Sequence, residues 1–565
     1  MTTSDELVEQ LVRIANDFMK ADFNQAVESV QLPPIESAIN ESGTSLGYKA
    51  VLHSPPIESA INDGAGSAAT TAPEQSVYKN AFGFLEGLRA FGGIDDSGMP
   101  ASIPYLDSVV RSSPAVPLGD PFEFIDQGRR IEVLSNPQFN DWSKVAQVPG
   151  GLTFPGSFDV EMIRRDFPIL QEKINGYDLI WLDNAATTQK PQAVIDRLNY
   201  FYSHENSNIH RAAHELAARS TDAYENARES VRRFLNAPSV SEIVFVRGAT
   251  EAINLIAQSW GRQNVKKGDE ILITWLEHHA NIVPWQMLCA ETGATLKVVP
   301  VNDLGQIVLD EYERLLSPRT RLVSFAQVSN ALGTITPLNE MVESAHRYGA
   351  KVLVDGAQAV SHMQVDVQNY DCDFYVFSGH KVFAPTGVGV LYGKSEILES
   401  MRPWQGGGNM IKDVTFEKTQ YQPSPWRFEA GTGNIADAIG LGAAIEYIEK
   451  IGMVNIQRHE NELLQYATEG FKAIPGLHLI GTSPEKAGVL SFVLDGFRTE
   501  EVSSALNQQG IAVRAGHHCA QPILRRFGLE STVRPSLALY NTCAEIDALI
   551  AAIWNLKSGR GPVPL

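Results

Sequence analysis

Between positions 372 and 393 the chain reads CDFYVFSGHKVFAPTGVGVLYG: an apolar, aromatic run that stops at small and polar residues, then a second apolar run. Phe374, Tyr375, Val376 and Phe377 leave no polar face, which predicts a buried strand. Ser378, Gly379, His380 and Lys381 end it, and Pro385, Thr386 and Gly387 turn the chain into the next strand. A lysine at the end of a buried strand suits Schiff-base chemistry, because burial depresses the pKa of an amine and leaves it nucleophilic near neutrality. The same residues suit a solvated lysine in a hairpin turn. The remainder of the chain has to decide between the two.

At 565 residues the chain is too long for one ordinary core, so two or more folding units are expected. A net charge of −20 argues against nucleic acid as a partner, since phosphate binding needs a basic surface. No stretch has the continuous apolar length of a membrane span, and the first residues lack a basic-then-apolar signal layout. Four cysteines, none in CxxC spacing, suggest neither a disulfide framework nor a zinc cage. The expectation is a cytoplasmic, reduced protein.

Residues 1–157 differ in kind from the rest. They hold 13 of the 30 prolines and 20 acidic against 9 basic residues. A first helix is expected where Thr3 and Glu6 have capping-box spacing and Leu7, Leu11, Ile14, Ala15 and Phe18 recur at helical intervals. Periodicity then fades into Gly/Ser/Pro/Ala-rich text, which reads as a largely disordered extension. Within it PPIESAIN occurs twice, at 33–40 and 55–62. Each copy sets a stiff Pro-Pro before two isoleucines at i, i+4, so the pair reads as two short docking motifs that gain avidity on a multivalent surface. Two proline-capped helices without a partner are the plainer alternative. Apolar patches at Phe82, Phe84, Leu85 and Phe91, and at Phe122, Phe124 and Ile125, offer similar docking.

From residue 158 strand-like and helix-like runs alternate, the pattern of an α/β protein. IVFVRGATEA (243–252) predicts a strand, a glycine turn and a helix over 252–260. Free N–H groups there, with Ala249 and the Thr250 hydroxyl, make an anion cradle, or simply a capped crossover. After the strand at 270–274 come His278 and His279, which point apart and have no cysteine or carboxylate spacing to complete a metal site. No metal is therefore expected, and His278 suits stacking on an aromatic ligand. The strand KVLVD (351–355) delivers Asp355 at its carboxyl end, where ligands sit in open α/β sheets, 26 residues before Lys381. A carboxylate there keeps a pyridine nitrogen protonated, so the cofactor ring acts as an electron sink. The anion site, imidazole, carboxylate and lysine complement one another as a pyridoxal phosphate site.

The motifs LDNAATTQKP, NIHRAAHELA, VRGATEAINL, EHHANIVPW, DGAQ, SGHK, FEAGT, RAGHHCAQP and RPSLALYNT span about 158–556. This region resembles the group II cysteine desulfurases, fold type I pyridoxal phosphate enzymes of the class-V aminotransferase kind. The resemblance implies a large domain with a mainly parallel sheet (about 175–420) and a smaller α+β domain (158–174 plus 421–565). It also implies a homodimer that takes L-cysteine and hands sulfur to an acceptor protein for iron–sulfur assembly. Lys381 would carry the Schiff base, Asp355 would pair with the pyridine nitrogen, and Gln358 would contact the ring oxygen. His278 would stack on the ring, while Thr250, Ser378 and His380 would hold the phosphate. Thr432 would reach the cofactor of the other subunit. Asn330, with Asn184 beside it, would lie close to the substrate carboxylate.

RAGHHCAQP (514–522) carries the thiol that separates a desulfurase from an aminotransferase. Arg514 and the flanking histidines favour a thiolate at Cys519. Cys289, Cys372 and Cys543 lie in apolar text and are expected to be buried. Arg534 is the candidate clamp for the substrate carboxylate, since a guanidinium pairs bidentately with it. The reaction implied moves sulfur from L-cysteine to Cys519 as a persulfide, with His278 as a further acid or base. A selenocysteine lyase is the nearest alternative. A transaminase or kynureninase-like enzyme needs no loop thiol. The long extension also resembles that of the desulfurase cargo of family 2 encapsulins, which implies a shell partner bound through residues 1–157, with catalysis as the carried activity.

Overall fold

A computed structural model of the chain describes residues 158–209 and 214–559. The expected first helix, the PPIESAIN repeat and the apolar docking patches lie outside the described residues, as do His210, Arg211, Ala212 and Ala213 of the NIHRAAHELA motif.

A seven-stranded sheet is formed by β1 (Ile243–Val246), β2 (Glu270–Thr274), β3 (Thr295–Val299), β4 (Thr320–Ala326), β5 (Lys351–Asp355), β6 (Phe374–Ser378) and β7 (Gly389–Gly393). Their spatial order is β1-β7-β6-β5-β4-β2-β3. β7 runs antiparallel to both neighbours, and every other pairing is parallel. The apolar runs show no alternation because both faces are covered. Leu272, Val323, Val352, Val354, Tyr375 and Phe377 belong to one buried cluster. Their chain neighbours Ile271, Leu322, Leu353, Phe374 and Val376 belong to the other. Side chains leave a strand alternately to opposite faces, so two cores draw on every strand.

Helices α1 (Gln192–His204) and α2 (Glu215–Phe234) precede the sheet, while α3 (Ala249–Ile256) and α4 (Val283–Thr292) follow β1 and β2. Pro191 stands at the N-cap of α1, where its missing N–H costs nothing. α3 begins three residues earlier than the pattern predicts and widens into a π-turn over Ala257–Gly261. Gly261 accounts for the fit, since a Cβ there would meet Leu288 Cδ2 of α4 at 2.5 Å. Further on, α5 (Ile435–Ile451) packs against α1 and α2 and is buried along most of its length, then α6 (Met453–Lys472), α7 (Thr499–Asn507) and α8 (Cys543–Lys557) follow.

A second, antiparallel sheet joins β8 (Leu477–Ile480), β9 (Ser491–Leu494), β10 (Arg514–Gly516) and β11 (Thr532–Arg534) in the order β8-β9-β11-β10. It forms its own core with α6, α7 and α8, around Phe471, Phe492, Val533 and Leu549. Segments cross between the two units. Ile180–Trp181 pairs in parallel with Ile511–Ala512, and Ile180 and Leu182 join the smaller core. Ile163, Phe167 and the α5 helix join the larger one. Among the described residues no helix is long and apolar enough to cross a membrane.

Candidate active site

A cleft of about 760 Å³ opens where the carboxyl ends of the parallel strands face the smaller sheet. Ala249, Thr250, His278, Asn330, Asp355, Gln358, Ser378, His380, Lys381, Arg514, Cys519 and Arg534 line it together. These come from seven strand ends and loops up to 285 positions apart in the chain, from Ala249 to Arg534.

Lys381 closes the short turn Gly379–Lys381 after β6. Burial pulls its amine down to about 8, partly offset by the Asp355 carboxylate. Asp355, at the end of β5, is itself pushed up by burial, against a bond from the Ala357 N–H at 3.0 Å and the charge of Lys381. On the far side of the sheet, β1 runs into Gly248, the N-cap of α3, which has no side chain to satisfy the first turn. Ser378 Oγ accepts from the Ala249 N–H at 2.9 Å, which ties the end of β6 to the start of α3. A Cβ on Gly248 would stand 3.0 Å from that hydroxyl. The turn that presents His380 is braced through its carbonyl, which accepts from Thr187 Oγ1 at 3.0 Å and Thr188 Oγ1 at 3.2 Å.

His278 is neutral: burial, then the charge of Lys381, pulls it down to about 3. Its Nδ1 accepts from the Ala280 N–H at 3.0 Å, so the ring hydrogen sits on Nε2. Beside it, the Glu277 carboxyl is fully buried and pushed up to about 8 by desolvation, despite bonds from Thr274, Asn281 and the Ala326 N–H.

The thiol sits in a strained loop. His518 and Cys519 have φ of 52° and 54°, in the left-handed region, which costs about 1–2 kcal/mol per residue for side chains with a Cβ. Four hydrogen bonds hold it there. His518 Nε2 lies 2.8 Å from Thr532 Oγ1, and Asn330 Nδ2 donates to His518 O at 2.7 Å. The Cys519 N–H donates to His517 Nδ1 at 3.0 Å, and Cys519 O accepts from the His279 N–H at 2.8 Å. Arg534 is 1% exposed, so its charge needs an internal partner. Asp183 provides it at 3.1 Å and also stands 3.9 Å from Arg514. Arg534 NH1 donates to Asn330 O at 2.9 Å, and Nε has no partner. Two arginines thus share one carboxylate, which leaves a positive excess at the cleft wall.

Two sequence-based expectations, for Asn184 and Cys543, meet a different arrangement. Asn184 does not line the cleft; its amide donates to Ser536 O at 2.6 Å and its oxygen accepts from Tyr540 OH, so it braces the wall from behind. Thr432, expected at the cofactor of the other subunit, lies on an exposed loop against a different cavity. Cys543 is exposed at the start of α8, whereas Cys289 and Cys372 are buried. Sequence reasoning missed Asp183 as the partner of Arg534. Asp183 stands inside the LDNAATTQKP motif, and its position at the polar end of a short strand was the available signal. Among the described residues no group of three or more His, Cys, Asp or Glu side chains could hold a metal ion.

Residues 180–549 match the Aminotransferase class-V family. A cysteine desulfurase of Klebsiella pneumoniae is 52% identical over 406 residues, which cover 72% of this chain and 100% of that protein. The chain belongs to the cysteine desulfurase family. A cysteine desulfurase of Synechococcus elongatus is 72% identical over 402 residues, 71% of this chain and 64% of its own length. The chain thus spans slightly under two thirds of the curated relatives it matches at highest identity. Among solved structures, the cysteine desulfurase CsdA of Escherichia coli superposes with a TM-score of 0.67 at 40% identity, covering 72% of this chain and 100% of that one. The family's cofactor is pyridoxal phosphate, and the residues present fit it. Lys381 is a desolvated amine, Asp355 a buried carboxylate, and Gln358 Oε1 and Asn330 Oδ1 are buried oxygens that no group among the described residues satisfies.

Proposed function

We propose that the protein is a pyridoxal phosphate-dependent cysteine desulfurase that moves sulfur from L-cysteine to Cys519 and releases L-alanine. The observation that carries this reading is the strained thiol of Cys519 on the same cleft as the desolvated amine of Lys381. Lys381, Asp355, Gln358, His278, Ala249, Thr250, Ser378 and His380 would hold the cofactor, which supplies an electron sink for the bonds around the substrate's α and β carbons. Arg534, backed by Arg514, clamps the α-carboxylate and orients the side chain of the substrate towards the loop. The Lys381 amine, half neutral at about pH 8, takes up and returns the Cα proton. His278, neutral with its hydrogen on Nε2, covers that face and donates without carrying charge. Cys519 Sγ attacks the substrate sulfur: the S–S bond forms, the Cβ–S bond breaks, and its electron pair stays with carbon, which takes a proton to become the methyl of alanine. The enzyme thiol is oxidised to a persulfide as Cβ is reduced, so no outside oxidant or reductant is needed. The persulfide then passes to an acceptor, with iron–sulfur assembly or sulfur storage as its use. Cys519→Ser is expected to keep the cofactor's colour and lose alanine formation from cysteine. Alanine made at the wild-type rate by that variant would sink the assignment.

The extension supports a second, compatible reading: residues 1–157 dock the enzyme as cargo on an encapsulin shell. Its repeated octapeptide supports this. Deletion of residues 1–157 is expected to spare turnover and abolish co-purification with a co-expressed shell protein; retained co-purification places docking elsewhere. A homodimer gives Thr432 its role, on the cofactor of the partner subunit.

A further inference from the structure

A buried acid–imidazole pair lies next to the cleft, and the proposed chemistry leaves it without a task. His362 stands four residues past Gln358, and its Nδ1 lies 2.7 Å from Oε2 of Glu460 on α6. They are 4% and 3% exposed, 98 positions apart in the chain. Across the ring, His362 Nε2 faces Gln358 Nε2 at 3.5 Å, a long contact. Gln358 in turn lines the cleft, with its Oε1 unpartnered inside the chain.

Packing alone is a weak reason for such a pair. Removing a carboxylate from water is costly, Glu460 Oε1 has no partner to offset it, and apolar side chains would join α6 to its neighbour at lower cost. A directional role explains it better. A carboxylate on Nδ1 selects the tautomer in which Nδ1 donates and Nε2 keeps its lone pair. That lone pair accepts an amide N–H and repels an amide oxygen, so the ring decides which end of Gln358 faces it. Glu460 also feels the Tyr540 phenol and, from its own helix, His459.

We propose that Glu460 and His362 are positioning residues that hold the Gln358 amide in one orientation towards the cofactor, and thereby set how tightly the bound cofactor keeps its proton. This rests on the proposed pyridoxal phosphate site, in which Gln358 contacts the ring oxygen. The Gln358 NH2 group carries two hydrogens: one turned to His362 Nε2 leaves the other to be donated to that oxygen, where it stabilises negative charge and favours proton loss. Disturbing the pair therefore raises the pH at which the cofactor's visible absorption changes.

The test is a pH titration of that absorption in purified, full-length holoenzyme. His362→Ala, Glu460→Gln and Gln358→Ala are each expected to raise the midpoint by at least about 0.5 pH unit, roughly threefold in proton affinity. Combining His362→Ala with Gln358→Ala should add nothing to Gln358→Ala alone, because both act through one amide. A shift from Gln358→Ala with none from His362→Ala and Glu460→Gln would reduce the pair to a structural tie. Additive shifts overturn the relay as well. No shift from Gln358→Ala would remove the ring-oxygen contact and this inference together. If His362→Ala yields no holoenzyme, His362→Gln, which keeps a hydrogen-bonding side chain without the imidazole, is titrated against the same criteria.

Discussion

Lys381 is desolvated by the cleft wall, and its depressed pKa has a measurable consequence. The amine is half neutral at about 8, whereas a solvated lysine would need a pH near 10.5. Schiff-base formation requires the neutral amine, so the rate at which apoprotein takes up pyridoxal phosphate should rise about tenfold per pH unit below 8 and level off above it. Stopped-flow absorbance checks this, and a rate still rising at pH 10 contradicts it. Linkage has the same origin: between 8 and 10.5 the unfolded chain binds more protons at this lysine than the folded one, so the apoprotein gains stability as pH rises through that window. Cys519 is handled differently, by geometry. Its left-handed backbone is held by bonds from Asn330, Thr532, His517 and His279, which aim the thiol at the cleft without burying it.

At the scale of elements, the Ala249–Ser378 side of the cleft depends on the close approach of Gly248, two residues past β1, and Gly389 on β7. A Cβ on Gly389 would stand 2.5 Å from the Gly248 Cα and 2.6 Å from Phe377 O. Backbone atoms cannot swing aside as a side chain would, so β1 and β7 must separate. Gly389→Ala is expected to cost about 1–3 kcal/mol in urea unfolding. It should also weaken cofactor retention, because Gly248 is the N-cap of α3 and its neighbour Ala249 bonds Ser378. Unchanged stability would mean that β1 and β7 separate at this edge without cost.

Across the whole molecule, distant segments are joined by a few buried polar ties. Glu429 accepts from Arg228 NH1 at 2.6 Å and NH2 at 3.0 Å, and from the Phe245 N–H at 2.8 Å. One carboxylate thereby links α2, β1 and the FEAGT segment over some 200 positions of chain, with a side chain on Arg228 that is 0% exposed. Glu429→Ala would strand that guanidinium and is expected to cost about 3–5 kcal/mol, measured by denaturant unfolding. A loss below 1 kcal/mol would show that water or Glu225, which also pairs with Arg228, replaces it.

The parallel sheet, the strand ends bearing Asp355 and Lys381, and the thiol loop were legible in the sequence because each is local. An apolar run with no polar face, ended by polar or glycine residues, has few physical outcomes, and burial at the end of such a run shifts an amine's pKa whatever lies further away. The start of α3 was misplaced, since its extra turn is set by Gly248 and by contact with Ser378 rather than by its own pattern. Side-chain partners across the chain were decided only by folding. Asp183 meets Arg534, Asn184 turns away to Tyr540, and Glu460 reaches His362 because helices and strands far apart in sequence are packed into one core. Spacing along a chain carries no information about such pairs. The residues proposed to do the chemistry were therefore named early, while those that brace them emerged only from the assembled fold.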